Sequence, residues 1–218
     1  SEQMMGENFV ANPISSLYYP PNIIFIVFPL NFASIIYLLL HLQIAAFSTY
    51  FLALSLKLKP WPSIAAAIFY AMSIKILGHL TAGHITMIAA FSYFPLTILS
   101  INMLFKSKTK NLKWQITAAI SLTFMYFTYP TVFYYSSIFI FALVIYNILQ
   151  TKFAIKNIII NVAPIVTIFL LTALLSAIVL LPQLEFAKNS TRSSLKLEDV
   201  AIPLWNAKRF FTSISIPY

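Results

Sequence analysis

The stretch KILGHLTAGH, residues 75–84, places Lys75, His79 and His84 close together in an otherwise apolar region. Imidazole groups can bind a metal ion, and both imidazole and ammonium groups can bind a phosphate. On a continuous helix the two histidines, five positions apart, would lie about 140° from each other, so they share a ligand only if the chain turns between them. Zinc takes three or four protein ligands, and no Cys, Asp or Glu lies nearby in the sequence. The stretch therefore favours an anion site over a metal site.

A purely structural interpretation of the same stretch stays open. The glycines at positions 78 and 83 permit a tight turn, and long basic side chains at a helix end can extend to the membrane interface. Ionisable groups at membrane depth, however, cost about 2.5–3.5 kcal/mol on insertion scales and tend to face a polar cavity. One lysine and two histidines suit the phosphate of a membrane lipid. We predict that Lys75, His79 and His84 bind such a substrate.

The composition indicates a membrane protein. Hydrophobic residues make up 60% of the chain, charged residues 9%, and the mean hydropathy is +0.86. A soluble domain has about 45–50% apolar residues. The net charge of +9 comes mostly from short lysine clusters between apolar runs, without the basic face interleaved with aromatics that is typical of nucleic-acid binding. We therefore predict membrane lipid, and no nucleic acid, as a partner.

Recurring apolar segments predict an all-α, polytopic transmembrane protein with about six spans, since about 20 apolar residues cross a bilayer as a helix. The predicted spans are residues 31–56, 63–77, 85–105, 114–129, 131–149 and 158–181. The chain then divides into three parts. Residues 1–30 are predicted to form an outer loop with an interfacial half-helix, residues 31–181 a transmembrane helical domain, and residues 182–218, which begin at Pro182, a polar tail on the outer side.

The lysines predict the orientation of the chain in the cell membrane. The connections 57–61, 106–113 and 150–157 are rich in lysine, whereas the first loop and the turn at 129–131 have no basic residue. Cytoplasmic loops collect Lys and Arg, so the amino terminus and the tail are predicted to lie outside. An even number of spans that starts outside, with no signal peptide, predicts a fragment of a longer protein with at least one earlier helix.

Other polar residues have simpler explanations beside functional ones. For His41, with Gln43 nearby, an interhelical hydrogen bond is a better explanation than catalysis. The charges of the tail are typical of a solvated face, although Arg192 could clamp a diphosphate with its forked guanidinium. Aromatic residues around Pro130 predict an interfacial belt, or else a stacking surface for a sugar or lipid. They are Tyr126, Phe127, Tyr129, Phe133, Tyr134 and Tyr135.

Four pieces of the sequence, in this order, resemble the C-type membrane glycosyltransferases (the GT-C fold), and especially the YfhO-like family. The pieces are NPISSLYYPPNIIF, HLQIAAFSTYFLALSLKLKPWPSIAAAIFYAMS, GHLTAGHITMIAAFSYFPLTIL and LLPQLEFAKNSTRSSL, which together cover most of the chain. The resemblance implies a GT-C-like fold, a polyprenyl-phosphate-linked sugar as donor, and transfer of that sugar to an acceptor on the outer face of the membrane.

The resemblance also implies a catalytic Asp in the first outer loop, after a first transmembrane helix, and this sequence has neither before NPISS. Glu7 and Glu185 are the candidates for a catalytic base, and Glu185 could instead bind the acceptor or a divalent metal ion, the one cofactor that the chemistry leaves open. Lys75, His79, His84 and Arg192 would hold the leaving lipid phosphate.

Two other classes of protein stay open as alternatives. Polar residues within the membrane and proline-broken helices also mark the substrate pathways of transporters, including flippases of lipid-linked substrates. A non-catalytic membrane scaffold is the third interpretation.

Overall fold

The computed structural model describes residues 11–12, 14–107, 111–150 and 155–188, and every regular element in this part of the chain is helical. A short 3-10 turn, Pro20–Ile23, comes first. The helices are α1 (Ile24–Val27), α2 (Leu30–Ser55), α3 (Pro60–Ala71), α4 (Ile74–Thr81), α5 (Ile85–Lys106), α6 (Leu112–Thr128), α7 (Pro130–Gln150) and α8 (Ile155–Lys188). The predicted all-α fold is confirmed.

Within the described ranges, five segments are long and apolar enough to cross a membrane. They are Leu30–Ser55, Pro60–Thr81, Ile85–Lys106, Pro130–Gln150 and Asn161–Ala187. The second of these combines α3 and α4, which a break at Met72 and Ser73 separates. Helix α6 has 17 residues, which gives it a length of about 26 Å. The protein is thus an integral membrane protein with a polytopic helical domain.

Contacts along α2 and α5 show that these two helices run parallel. His41 lies against Tyr93, with the ring centroids 6.1 Å apart. Further along both helices, Asn102 Nδ2 donates a hydrogen bond to Ser55 Oγ at 2.7 Å. The short connection at 56–59 sends α3 back along α2, so the segment α3–α4 lies antiparallel to both of its neighbours in the chain.

The same test gives the direction of α6 and α8. Thr172 Oγ1 of α8 lies 3.4 Å from the carbonyl oxygen of Ala119, and the Tyr126 hydroxyl donates a hydrogen bond to Gln183 Oε1 at 2.6 Å. The contacts advance in the same direction along both helices, so α6 and α8 are parallel. Alternate helices are therefore parallel and consecutive ones antiparallel, as repeated crossing of a bilayer requires.

This alternation separates the charged residues to two ends of the bundle. At one end, which we call the lysine end, α2 and α5 end and α3 and α6 begin; the lysines there whose side chains are described are Lys57, Lys59, Lys106 and Lys113. At the other end, the histidine end, lie the loop before α2, the turn between α4 and α5, and the carboxyl end of α8. It carries His79, His84 and Glu185. Which end faces the cytoplasm stays a prediction.

Helix α5 lies at the centre of the bundle. In its most apolar window 61% of the residues are buried, against 17–28% in the other four spans. It packs most extensively against α6, and the shared core contains Ala89 and Ala90 of α5 with Ala118 and Ala119 of α6. Small residues let helix backbones approach closely, which favours association in lipid, where no hydrophobic driving force operates between helices.

Tyr19 fixes the loop before α2 in the core. Its side chain is 1% exposed, and its hydroxyl oxygen lies 2.5 Å from His41 Nε2 and 2.7 Å from the Tyr93 hydroxyl oxygen. His41 Nδ1 lies 2.6 Å from the Tyr37 carbonyl oxygen. A carbonyl only accepts, so Nδ1 carries the proton and, in a neutral imidazole, Nε2 accepts from Tyr19. The Tyr19 oxygen is then left to accept from Tyr93.

Burial in this cluster raises the pKa of the Tyr19 hydroxyl above its usual value, so Tyr19 is a neutral donor.

A second contact supports the loop nearer the surface of the bundle. The Ser16 hydroxyl donates to the Thr128 carbonyl oxygen at 3.3 Å, and Asn22 Nδ2 donates to the Ser16 carbonyl oxygen at 2.6 Å. The loop is therefore attached to α2, α5 and α6 at once.

The last helix is longer than the predicted span, which ends at residue 181. Helix α8 continues through Pro164 and Pro182 to Lys188, so the first residues of the predicted polar tail are helical. Proline removes one backbone donor from a helix and usually kinks or ends it. Here the hydrogen bond between Tyr126 and Gln183 holds the turn around Pro182 against α6. Residues 189–218 of the predicted tail lie outside the described residues.

We expect Tyr19→Phe to lower the free energy of unfolding by about 1–3 kcal/mol, because His41 Nε2 and the Tyr93 hydroxyl would lose a buried partner. Thermal unfolding of the purified protein in detergent measures the change. Tyr18→Phe is the matched control, since Tyr18 packs against the same core without a hydrogen bond from its hydroxyl within the described residues. Equal unfolding temperatures for the two variants would contradict the role given to Tyr19.

Candidate functional site

The residues of the stretch 75–84 belong to α4 and to the turn that follows it. Lys75 and His79 are four positions apart on α4 and share one face of the helix. Ala82, Gly83 and His84 then reverse the chain, with Gly83 at φ +74°, a left-handed conformation that favours glycine. The His84 backbone N–H donates to the His79 carbonyl oxygen at 2.9 Å. This bond returns His84 to the side of His79.

The turn brings together the two histidines that a continuous helix would separate. Their ring centroids are 5.9 Å apart. The predicted tight turn is thus confirmed, but only one of the two glycines forms it. Gly78 lies inside α4 with ordinary helical geometry, so the prediction that both glycines serve the turn is wrong.

Phe91 of α5 is the surface on which the basic residues of α4 lie. Lys75 Nζ lies 5.0 Å from the centroid of the Phe91 ring. The His79 ring stacks on Phe91, with the centroids 6.0 Å apart and an angle of 17° between the planes. An ammonium group over an aromatic face is held by the ring quadrupole. Phe91 thereby groups Lys75 and His79, and the His84 ring lies beside the His79 ring.

Beside this group a cavity of about 360 Å³ lies between α3, α4, α5 and α7. Lys75 and Phe91 form part of its wall, together with Tyr135 and Ser136 of α7. Phe94 and Phe139 line it further from the histidine end, with their ring centroids 5.5 Å apart. The cavity is therefore largely apolar, and Lys75 is the cation among the residues that line it. Its volume lies within the range of about 300–1,000 Å³ that is usual for ligand sites.

Lys75, His79 and His84 do not form a metal site with their surroundings. In the described ranges no group of three His, Cys, Asp or Glu side chains is close enough to hold a metal ion. His79 and His84 provide two nitrogens, and zinc needs a third protein ligand. The arrangement is suited to bind an anion, because an ammonium and two imidazoles can each donate a hydrogen bond to phosphate oxygens.

The two predicted carboxylates have different outcomes. Glu185 is an exposed residue near the carboxyl end of α8, at the same end of the bundle as the histidines. No ion pair or hydrogen bond joins it to Lys75, His79 or His84 in the described part of the chain. Glu7, the other candidate base, and Arg192, the fourth predicted substrate-binding residue, lie outside the described residues.

The aromatic residues around Pro130 do not all lie at the interface. Tyr126 and Phe127 are buried in the core, so the predicted belt is wrong for these two. The reason is that α6 is packed between α5, α7 and α8 and exposes little of its surface. Tyr134 and Tyr135 are 56% and 64% exposed, and Tyr135 lines the cavity beside Lys75.

His41 is hydrogen-bonded, as predicted, but its side-chain partner is not on another transmembrane helix. It is Tyr19, in the loop before α2, which links His41 to Tyr93. The sequence marked this loop only by its prolines and aromatics, and nothing in it distinguished Tyr19 from Tyr18. Tyr37 completes the cluster, and its hydroxyl is buried without a hydrogen-bond partner within the described residues.

Comparison of the chain with protein-family models, with curated proteins and with solved structures gave no match. The likeness to the GT-C glycosyltransferases stays a prediction from the sequence.

Gly83→Ala is expected to lower the free energy of unfolding by about 1–2 kcal/mol, since an alanine at positive φ is strained. Gly78→Ala is the matched control. It lies in the helix and is expected to raise stability by about 0.5–1 kcal/mol. An added Cβ meets nothing within 4 Å at either position, so the backbone conformation alone decides the sign. Thermal unfolding checks both variants, and a shift in the same direction for both would contradict the geometry of the turn.

Proposed function

We propose that this chain is the transmembrane part of a glycosyltransferase that moves a sugar from a polyprenyl-phosphate-linked donor to an acceptor on the outer face of the cell membrane. The observation that carries the proposal is the position of Lys75, His79 and His84 beside an apolar cavity at one end of a membrane-spanning bundle. A lipid-linked phosphate has the same two parts, an anionic head and an apolar chain.

Lys75, His79 and His84 have a chemical role in such a transfer. When the bond between sugar and phosphate breaks, negative charge develops on the leaving phosphate, and positioned donors stabilise it. Lys75 and His79 lie on Phe91, and the turn places the His84 ring beside that of His79, so the three are grouped before a ligand arrives. The reaction also needs a base for the acceptor hydroxyl. Glu185 is the carboxylate at this end of the described structure, and Glu7 and Arg192 stay predicted members of the same site.

The distribution of charge supports an outer location of this site. The described lysines in the connections between spans lie at the opposite end of the bundle, and lysine-rich connections are usually cytoplasmic. The loop of residues 14–28, whose sequence resembles the outer loop of the YfhO-like family, lies at the histidine end and reaches into the bundle through Tyr19. In this orientation the amino terminus and the tail would both lie outside.

A transporter or flippase is the second candidate, and one feature favours it. A larger cavity lies next to the first on its lysine side, and the two share Tyr70, Phe94 and Phe139 in their walls. Lys75 lines the first cavity and Lys106 the second. A lipid phosphate moving between leaflets would meet a cation on each side. Transfer and translocation therefore have to be measured separately.

Lys75→Gln is expected to weaken binding of polyprenyl phosphate about tenfold, the effect of losing a hydrogen bond to a charged group worth roughly 1.5 kcal/mol. Titration of the purified protein with a fluorescent polyprenyl phosphate measures the dissociation constant. Lys59→Gln, which removes an exposed lysine at the opposite end, is the control and should bind as the wild type does. Equal weakening of binding in both variants would mean that the net charge of the protein explains the effect, which would contradict a site at Lys75.

His84→Gln tests the reaction itself. In the intact protein, reconstituted in vesicles with a polyprenyl-phosphate-linked sugar and a mixture of acceptors, we expect sugar transfer to fall at least tenfold because a donor to the leaving phosphate is lost. Release of polyprenyl phosphate is measured in the same vesicles as translocation of the donor. Undiminished transfer removes His84 from the site. If the wild type translocates the donor but transfers no sugar, the result supports the flippase. If the wild type shows neither translocation nor transfer, the result supports a scaffold.

A further inference from the structure

The larger of the two cavities lies at the lysine end and is separate from the proposed donor site. It has a volume of about 680 Å³ and lies between α2, α3, α5 and α7. Most of its wall is apolar, for example Ile98 of α5 and Leu143 of α7. Its polar residues at the lysine end include Asn102, Lys106 and Asn147. One end of the cavity is thus polar and cationic, and the rest is apolar.

The polar groups at this end are arranged around Ser55, the last residue of α2. Asn102 donates to its hydroxyl at 2.7 Å, and the Lys106 ammonium donates to its carbonyl oxygen. An ammonium group has three donors, so Lys106 has two left for a ligand. Asn147 on the facing helix makes no hydrogen bond within the described residues and lines the same cavity. These groups can together bind the oxygens of a phosphate.

The charge around the cavity selects an anion. The other charged side chains described at this end are Lys57, Lys59 and Lys113, and the described carboxylate, Glu185, lies at the opposite end. In the sequence no Asp or Glu occurs between Glu7 and Glu185. An anionic head would therefore meet no opposing carboxylate along the transmembrane region. Basic pockets between transmembrane helices are a known way of holding anionic lipid head groups.

The depth of the cavity matches one leaflet of a bilayer. Along α5 it extends from Lys106 to Phe94, twelve residues, which is about 18 Å of helix. Half of the hydrocarbon core is about 15 Å thick. At the inner limit Tyr70, Phe94 and Phe139 separate it from the cavity at the histidine end. A ligand held at Lys106 would therefore place its apolar part in the leaflet at the lysine end.

We propose that this cavity binds an anionic phospholipid of the leaflet at the lysine end, with its phosphate at Lys106, Asn102 and Asn147 and an acyl chain between α5 and α7. The site is distinct from the donor site, and its existence does not depend on glycosyl transfer. It gives the bundle a bound lipid that fills the gap between α3 and α7.

Native mass spectrometry of the purified protein tests this proposal, with phosphatidylglycerol and phosphatidylcholine of identical acyl chains as probes. The wild type should retain phosphatidylglycerol in preference to phosphatidylcholine. Lys106→Gln should lower that preference about fivefold, the effect expected from one lysine near an anionic head. Lys59→Gln is the matched control, because Lys59 is exposed at the same end and does not line the cavity. Equal losses in both variants, or no preference in the wild type, would overturn the proposal.

A second pair of variants tests the apolar part of the cavity. Leu143→Trp should fill the cavity and reduce retention of both lipids, whereas Ala142→Trp, at an exposed neighbouring position, should retain both. Binding of polyprenyl phosphate at Lys75 is measured on the same four variants. If polyprenyl phosphate still binds to a variant that has lost phosphatidylglycerol, the two sites are separate. Unchanged lipid retention in Leu143→Trp would show that no lipid occupies the cavity.

Discussion

The hydrogen-bonded chain from Tyr93 through Tyr19 to His41 is the interaction on which the histidine end depends. These groups are buried among apolar helices, where an unpaired polar group is costly, so each one fixes the position of the next. The direction of donation is set by the Tyr37 carbonyl, which can only accept. Tyr19 belongs to a loop, and its partners belong to α2 and α5. These hydrogen bonds therefore join three segments that apolar packing alone would leave free to shift. The loop is thus held beside the helices that carry the candidate site.

Separation of charge is the second constraint on the molecule. Alternating helix directions place the lysine-bearing connections at one end and the histidines at the other, and the long run without Asp or Glu leaves the intervening region free of acidic side chains. A net positive end would attract anionic lipid, whereas Lys75 and His79 on Phe91, with His84 beside His79, would offer a smaller and better defined site for one phosphate. Basic residues would therefore act differently at the two ends, because one set is spread over connections and the other is concentrated by a turn.

The sequence was sufficient for the features that depend on local rules. Long apolar runs gave the spans, Pro130 separated α6 from α7, and a glycine marked the turn at position 83. It was insufficient wherever long-range packing decided the outcome. Pro182 reads as a helix end locally, but α8 continues through it, and the side chain of the next residue accepts a hydrogen bond from Tyr126 on α6. Tyr19 and Tyr18 are adjacent tyrosines, and only the buried partners of one distinguish them. In helices that are apolar all round, no hydrophobic stripe tells which face is buried, so neither cavity was predictable.

Tyr70 lies between the two cavities and also contacts Phe91, the residue on which Lys75 and His79 lie. Its hydroxyl donates to the Phe91 carbonyl oxygen at 2.8 Å, which fixes α3 to α5 at the residue on which Lys75 and His79 lie. The same side chain lines both cavities. A movement of α3 relative to α5 would therefore change the position of Phe91 and the width of both cavities together. Two sites that share a wall are coupled in energy whenever a ligand in one favours a particular position of that wall. A phospholipid at the lysine end would, by this argument, influence how firmly the basic residues at the histidine end are held.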